Sequence, residues 1–190
     1  MNTETGGVND KPYFPDMDQK RTEGRKLEFD LRKAILLKQF ELHYQMQLNY
    51  TNRRVTGFEA LIRWNHPEQG MVFPDVFIPL AEKTGLIVAI GEWVIKTACK
   101  EAMKWPEDIT VAVNISPIQL QSENLIGVIK TALQETGLSP KRLEIEITES
   151  SAIQDETESR QVLLALKELG LSIALDDFGT GYASLSYLQI

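Results

Sequence analysis

The stretch ITVAVNIS, residues 109–116, is an almost unbroken apolar run that ends in an asparagine. Branched side chains such as valine and isoleucine favour strands, and a run of this kind predicts a strand buried on both faces. Two later segments also read as strands, LEIEITES at 143–150 and LSIALDDFG at 171–179. Helical patterns at 124–137 and 155–170 separate the three strands, and each ends at a glycine. The alternation predicts parallel βαβ units.

The first half of the chain has a different pattern. Residues 40–48, FELHYQMQL, alternate between apolar and polar side chains with a period of two, which predicts a strand. The turn YTNRR at 50–54 joins it to a second strand at 55–64, so we expect an antiparallel hairpin. Apolar spacing predicts helices over 25–39, 74–85 and 88–105.

Each predicted strand after the first carries acids or an amide at its end or near it. Because the carboxyl ends of parallel strands form one rim, these side chains are expected to meet there. Clustered carboxylates repel one another unless a cation joins them, and oxygen ligands suit Mg²⁺, Mn²⁺ or Ca²⁺ better than zinc. The pattern therefore predicts a metal site formed by Glu59, Asn114, Glu146, Asp176 and Asp177, with Glu149 at the end of the same strand as Glu146.

Other interpretations of these residues exist. Taken singly, an acid after a strand is often a helix N-cap or a turn residue, and only the agreement of four strands favours a metal site. DFG at 177–179 lacks the other motifs of a protein kinase, and the glycines at 179 and 181 lack the third glycine of a dinucleotide-binding loop. Periodicity alone leaves an open doubly wound sheet and a (β/α) barrel equally possible.

Composition limits the function further. Twenty basic against 27 acidic residues leave a net charge of −7, which disfavours binding to polymeric nucleic acid or to anionic membranes. One cysteine, Cys99, excludes an intrachain disulfide, and no apolar run reaches the roughly 20 residues of a membrane span. We expect a cytoplasmic domain.

Several motifs together resemble the EAL domain family of bacterial cyclic di-GMP phosphodiesterases. They are FEALIRWNHPEQG (58–70), FIPLAEKTGLI (77–87), VAVNIS (111–116), LEIEITES (143–150) and ALDDFGTGYASLSYL (174–188). The resemblance implies an α/β fold, a TIM-like (β/α) barrel of EAL type whose first strand is antiparallel. It covers the chain from about Leu27 to its last residue.

The resemblance also implies roles for matching residues. Glu59, Asn114, Glu146 and Asp176 match metal ligands, and Asp177 matches an acid shared by two metals, so that Glu59 and Asp177 carry the catalysis. Glu149 matches an acid that steadies a loop over the site. Gln45 and Arg63 match residues that contact the substrate, and a guanidinium suits a phosphate. The chemistry implied is hydrolysis of cyclic di-GMP to linear pGpG with two Mg²⁺ or Mn²⁺ ions.

The domain organisation is also an expectation. Residues 1–24 read as a tail or linker, which resembles the segment after a GGDEF domain, so an upstream GGDEF or sensory domain is expected. Residues 25–190 correspond to the first two-thirds of an EAL domain, because a full barrel takes about 250 residues. A lysine, a glutamate and a glutamine of the family would lie beyond Ile190. We expect a truncated product or part of a longer protein, and a homodimer if it stands alone.

Three functions therefore remain open. The first is a phosphodiesterase that needs the family's later motifs. The second is a module that binds cyclic di-GMP without cutting it, and the third is a protein-interaction surface.

Overall fold

The computed structural model describes residues 15–148 and 156–176, with side chains over 24–148 and 159–175. Helices and strands alternate through most of this part. In chain order the elements are α1 (Pro15–Ala34), β1 (Phe40–Leu48), β2 (Val55–His66), β3 (Gly70–Val72), α2 (Pro74–Thr84), α3 (Leu86–Ala102), β4 (Thr110–Asn114), α4 (Pro117–Leu120), α5 (Leu125–Thr136), a 3₁₀ turn (Pro140–Arg142), β5 (Leu143–Thr148), α6 (Glu156–Glu168) and β6 (Ser172–Asp176).

The strands form one sheet in the order β1-β2-β4-β5-β6, with β3 paired to β2. The antiparallel pairing of β1 with β2 confirms the predicted hairpin, and the other main pairs are parallel. The strand order follows the chain and never reverses. An open doubly wound sheet reverses its order at a switch point, so the observed order is that of a barrel wall.

The two faces of the parallel strands have different environments. Val111, Val113 and Ile145 have no exposed surface and belong to one hydrophobic core with Ile90 of α3 and Ile129 of α5. Because side chains alternate along a strand, the residues between them lie on the opposite face. That second face carries the polar residues of the predicted rim.

Several details differ from the predictions. α1 begins at Pro15, before the predicted start at Arg25, and β3 and α4 were not predicted because both are very short. Gly85 and Gly137 end α2 and α5 in the left-handed conformation, as their positions predicted. Within the part of the chain described, no helix is long and apolar enough to cross a membrane.

Candidate active site at the carboxyl end of the sheet

Three of the predicted ligands lie on three neighbouring strands. Asn114 ends β4 and is the register partner of Glu146 on β5, while Glu59 of β2 pairs with Ala112, two residues before Asn114. The amide nitrogen of Asn114 donates a hydrogen bond of 2.7 Å to Oε1 of Glu59. The sheet register therefore brings an amide and a carboxylate from distant parts of the sequence into contact.

Glu146 is the most deeply placed of these ligands. It is 9% exposed, and the amide nitrogen of Gln47 on β1 donates a hydrogen bond of 3.0 Å to its Oε1. Gln47 was not singled out as a site residue from the sequence. The signal was its position two residues after Gln45, on the same face of an alternating strand.

Gln47 reaches Glu146 beside a glycine. Gly57 is the register partner of Gln47, and a Cβ at Gly57 would lie 3.2 Å from Oε1 of Gln47 and 2.3 Å from Oγ1 of Thr110. A larger residue at this position would collide with Thr110 on β4 and crowd the side chain of Gln47 on β1. Gly57, two residues before Glu59 on β2, thus allows β2 and β4 to approach closely.

The remaining predicted ligands are only partly covered. Asp176 ends β6 and is the register partner of Thr148, but its side chain is not among those described. Asp177 and Glu149, together with most of the DDFGTGYAS motif, lie outside the described residues. Within residues 15–148 and 156–176, no group of three or more histidine, cysteine, aspartate or glutamate residues is close enough to hold a metal ion. The metal-binding roles of these residues remain predictions.

The two predicted substrate contacts lie on the first two strands. Gln45 is exposed and is the register partner of Glu59. Arg63 is half-buried; one of its terminal nitrogens donates to the carbonyl oxygen of Ile62 at 2.9 Å, and its guanidinium carbon lies 6.0 Å from the ring centre of Phe73. Arg63 and Glu59 share one face of β2, about 13 Å apart along the strand.

A cavity of about 420 Å³ adjoins this rim. The polar residues of its lining are Glu82, Asn114, Ser116, Gln119 and Thr148, and the rest of the lining is apolar. A mostly apolar cavity with a few convergent polar groups is the usual form of a small-molecule site. The cavity and the Glu59–Asn114 pair share Asn114.

His66 lies at the end of β2 and is bound to α1. His66 is 4% exposed, and its Nδ1 accepts the backbone N–H groups of Glu68 and Gln69 at 3.1 and 3.2 Å. Its Nε2 therefore carries the proton and donates to Asp30 of α1 at 3.2 Å. His66 holds the turn after β2 against α1.

The chain is similar to several known proteins. The model of the EAL domain family matches residues 28–189. The bifunctional diguanylate cyclase/cyclic di-GMP phosphodiesterase MucR of Pseudomonas aeruginosa is 43% identical over 177 residues, which are 91% of this chain and 26% of that protein. The cyclic di-GMP phosphodiesterase PdeR of Escherichia coli is 38% identical over 179 residues, 93% of this chain and 27% of PdeR.

A solved structure supports the fold. The structure described as the PaMucR phosphodiesterase in complex with c-di-GMP has a TM-score of 0.83 and 44% identity, over 86% of this chain and 68% of that one. This chain spans about a quarter of the length of the curated relatives it matches.

Proposed function

The chain belongs to the EAL domain family, and on that premise we propose that its rim binds cyclic di-GMP and that the domain, together with the family's later motifs, hydrolyses one phosphodiester bond to give linear pGpG. The observation that carries the proposal is the hydrogen bond between Asn114 and Glu59. It puts two oxygen-bearing side chains in contact at the end of the sheet where α/β enzymes hold their substrates. The relatives named as cyclic di-GMP phosphodiesterases support the same reaction.

We further propose that divalent cations, Mg²⁺ or Mn²⁺, bind at this rim. The carboxylates of Glu59 and Glu146 and the amide of Asn114 are hard oxygen donors, which fit these ions. Asp176 and Asp177 would complete the proposed set, and Asp177 would be the acid that two ions share. When bound, the cations offset phosphate charge and lower the pKa of the attacking water.

The other residues hold and orient the substrate in this proposal. Arg63 offers several N–H donors to a phosphate, and Gln45 lies beside Glu59, where it contacts the same ligand. The apolar cavity next to Asn114 suits a guanine base. Gln47 holds the carboxylate of Glu146 in place, and Glu149 steadies the loop above the site.

The context of the domain is also a proposal. Residues 1–24 connect an upstream GGDEF or sensory domain to the domain that begins at residue 25, which is consistent with the bifunctional name of MucR. We place the protein in the cytoplasm and expect a homodimer. Sedimentation that shows only monomer would contradict the dimer.

The test of function is incubation with cyclic di-GMP and Mg²⁺ or Mn²⁺, followed by chromatography for pGpG. We expect product from the full-length protein that carries this domain and its later motifs, and none from its Glu59→Gln variant, because the neutral amide binds a cation far more weakly. Glu123→Gln, at an exposed position in a turn, is the matched control and should keep full turnover.

Two outcomes would contradict hydrolysis. Binding of cyclic di-GMP by calorimetry without product would identify a binding module. If the protein neither binds cyclic di-GMP nor makes pGpG, a protein-interaction surface remains as its function.

A further inference from the structure

Gln119 is a buried polar residue that lines the cavity next to Asn114. It lies in α4, the short helix that follows β4, and is only 4% exposed. A buried amide keeps its place through specific hydrogen bonds, since an unmade bond in the interior is costly. Its hydrogen-bond partners identify the segment that it keeps in place.

The side chain of Gln119 forms half of a capping box. Its Oε1 accepts the backbone N–H of Ser116 at 3.2 Å, and its own backbone N–H donates to Oγ of Ser116 at 3.3 Å. Between Ser116 and the strand, the N–H of Ile115 donates to the carbonyl oxygen of Glu146 at 2.8 Å. The turn that leaves β4 immediately after Asn114 is thus hydrogen-bonded to both α4 and β5.

A glycine on α3 makes room for this amide. A Cβ at Gly91 would lie 1.8 Å from Nε2 of Gln119 and 2.6 Å from its Cδ. The backbone of α3 therefore packs directly against the Gln119 side chain. This contact ties the turn after β4 to a long helix of the core as well as to the neighbouring strand.

Asn114 depends on this support because it is itself exposed. Packing does not hold its side chain, so its orientation depends on the hydrogen bond to Glu59 and on the backbone at the end of β4. We propose that Gln119, lodged against Gly91, is a positioning residue that fixes the turn after β4 and so directs the amide of Asn114 towards Glu59 and the bound cation. The inference rests on the proposed function.

The test compares Gln119→Met with the wild-type protein. Methionine is similar in length but cannot accept the Ser116 N–H. Residues that orient a metal ligand typically change metal affinity about 10-fold or more when replaced. We expect Mn²⁺ affinity, measured by titration calorimetry, and kcat for cyclic di-GMP each to fall about 10-fold.

Two further variants complete the design. Gln119→Glu keeps the acceptor of the capping box and should restore Mn²⁺ affinity to within about twofold of wild type. Gln121→Met alters an exposed glutamine two residues later and should leave affinity and kcat unchanged.

The inference is overturned if Gln119→Met, folded by circular dichroism, binds Mn²⁺ as the wild-type protein does. If Gln119→Met does not fold, Ser116→Ala decides, because it removes only the other half of the capping box. Unchanged Mn²⁺ affinity in Ser116→Ala then overturns the inference, and reduced affinity supports it. If the wild-type protein binds no Mn²⁺ and makes no pGpG, the proposed function itself is overturned. If the wild-type protein does both and Gln119→Met binds Mn²⁺ equally well, only this inference is overturned.

Discussion

The amide nitrogen of Asn114 lies 2.7 Å from Oε1 of Glu59, although the two residues are 55 positions apart in the chain. The contact joins the end of β4 to β2, across one parallel strand pair. It is the link between the fold and the proposed chemistry, since it assembles oxygen donors from separate strands.

Replacement of Asn114 by aspartate should expose the need for a cation at this contact. Asn114→Asp exchanges a donor for a second carboxylate beside Glu59, and the two negative charges repel. We expect the free energy of unfolding, measured with urea in the absence of divalent ions, to fall by about 1 kcal/mol. Addition of Mn²⁺ should recover that loss.

The control for this variant is Asn52→Asp in the turn between β1 and β2. Its side-chain oxygen accepts the N–H of Arg54 at 3.0 Å, and aspartate preserves that acceptor. It should show no Mn²⁺-dependent recovery. Equal behaviour of the two variants would mean that Asn114 and Glu59 do not share a cation.

Gln47→Leu should lower stability because it removes a donor to a buried carboxylate. Gln47 donates to Oε1 of Glu146 at 3.0 Å, and loss of a hydrogen bond to a charged group costs about 1.5–3 kcal/mol. Urea unfolding of the protein without divalent ions measures the change. Gln45→Leu, at the exposed position two residues earlier, is the matched control and should shift stability by less than about 0.5 kcal/mol. A similar loss in both variants would indicate a general effect on β1.

Gly57→Ala should weaken the junction of β2 and β4. The new methyl group would lie 2.3 Å from Oγ1 of Thr110 and 2.8 Å from its carbonyl oxygen, and the second contact is with backbone that cannot rotate away. We expect a loss of about 2 kcal/mol in the free energy of unfolding, measured by urea titration.

A second glycine provides the comparison for Gly57. Gly24 lies in α1 and has no atom within 4 Å of an added Cβ. Gly24→Ala should therefore stabilise the helix by up to about 1 kcal/mol. If both substitutions changed the free energy of unfolding in the same direction, the close approach of β2 to β4 at Gly57 would not be the cause of the change in Gly57→Ala.

Cys99 should make stability fall in alkaline solution. Burial raises the pKa of its thiol from 9.0 to about 12, so between these values the unfolded chain releases a proton that the folded protein keeps. Stability then decreases as pH rises through this window, by up to about 1.4 kcal/mol per pH unit. Urea unfolding at pH values from 8.0 upward measures the slope.

Cys99→Ala serves as the control for the alkaline effect. The variant loses packing at every pH, but its stability should fall less steeply above pH 9.0, because no thiol remains to ionise in the unfolded chain. Tyr44, whose pKa burial raises to about 12, keeps a slope of its own above its ordinary value of 10.0. If stability fell with pH as steeply in Cys99→Ala as in the wild-type protein between pH 9.0 and pH 10.0, groups other than Cys99 would cause the alkaline loss of stability.

Local patterns in the sequence were enough to predict most of the fold. The apolar runs at β4 and β6 and the alternation in β1 gave strands in the right places, because side-chain period is a local property of the backbone. Glycine at 85 and 137 marked helix ends, since only glycine enters the left-handed conformation without strain. The hairpin of β1 and β2 followed from two strands joined by a short polar turn.

The sequence by itself therefore determined the types of the longer elements, the direction of the main strands and the edge of the sheet at which Glu59, Asn114 and Glu146 lie. Only the tertiary structure decided that Asn114 contacts Glu59, that Gln47 reaches Glu146, and that Gly57 and Gly91 leave space for Thr110 and Gln119. The physical reason is the separation along the chain over which each effect acts. Periodicity and capping are set by neighbours in the chain, whereas strand register and close approach depend on how distant surfaces fill space together.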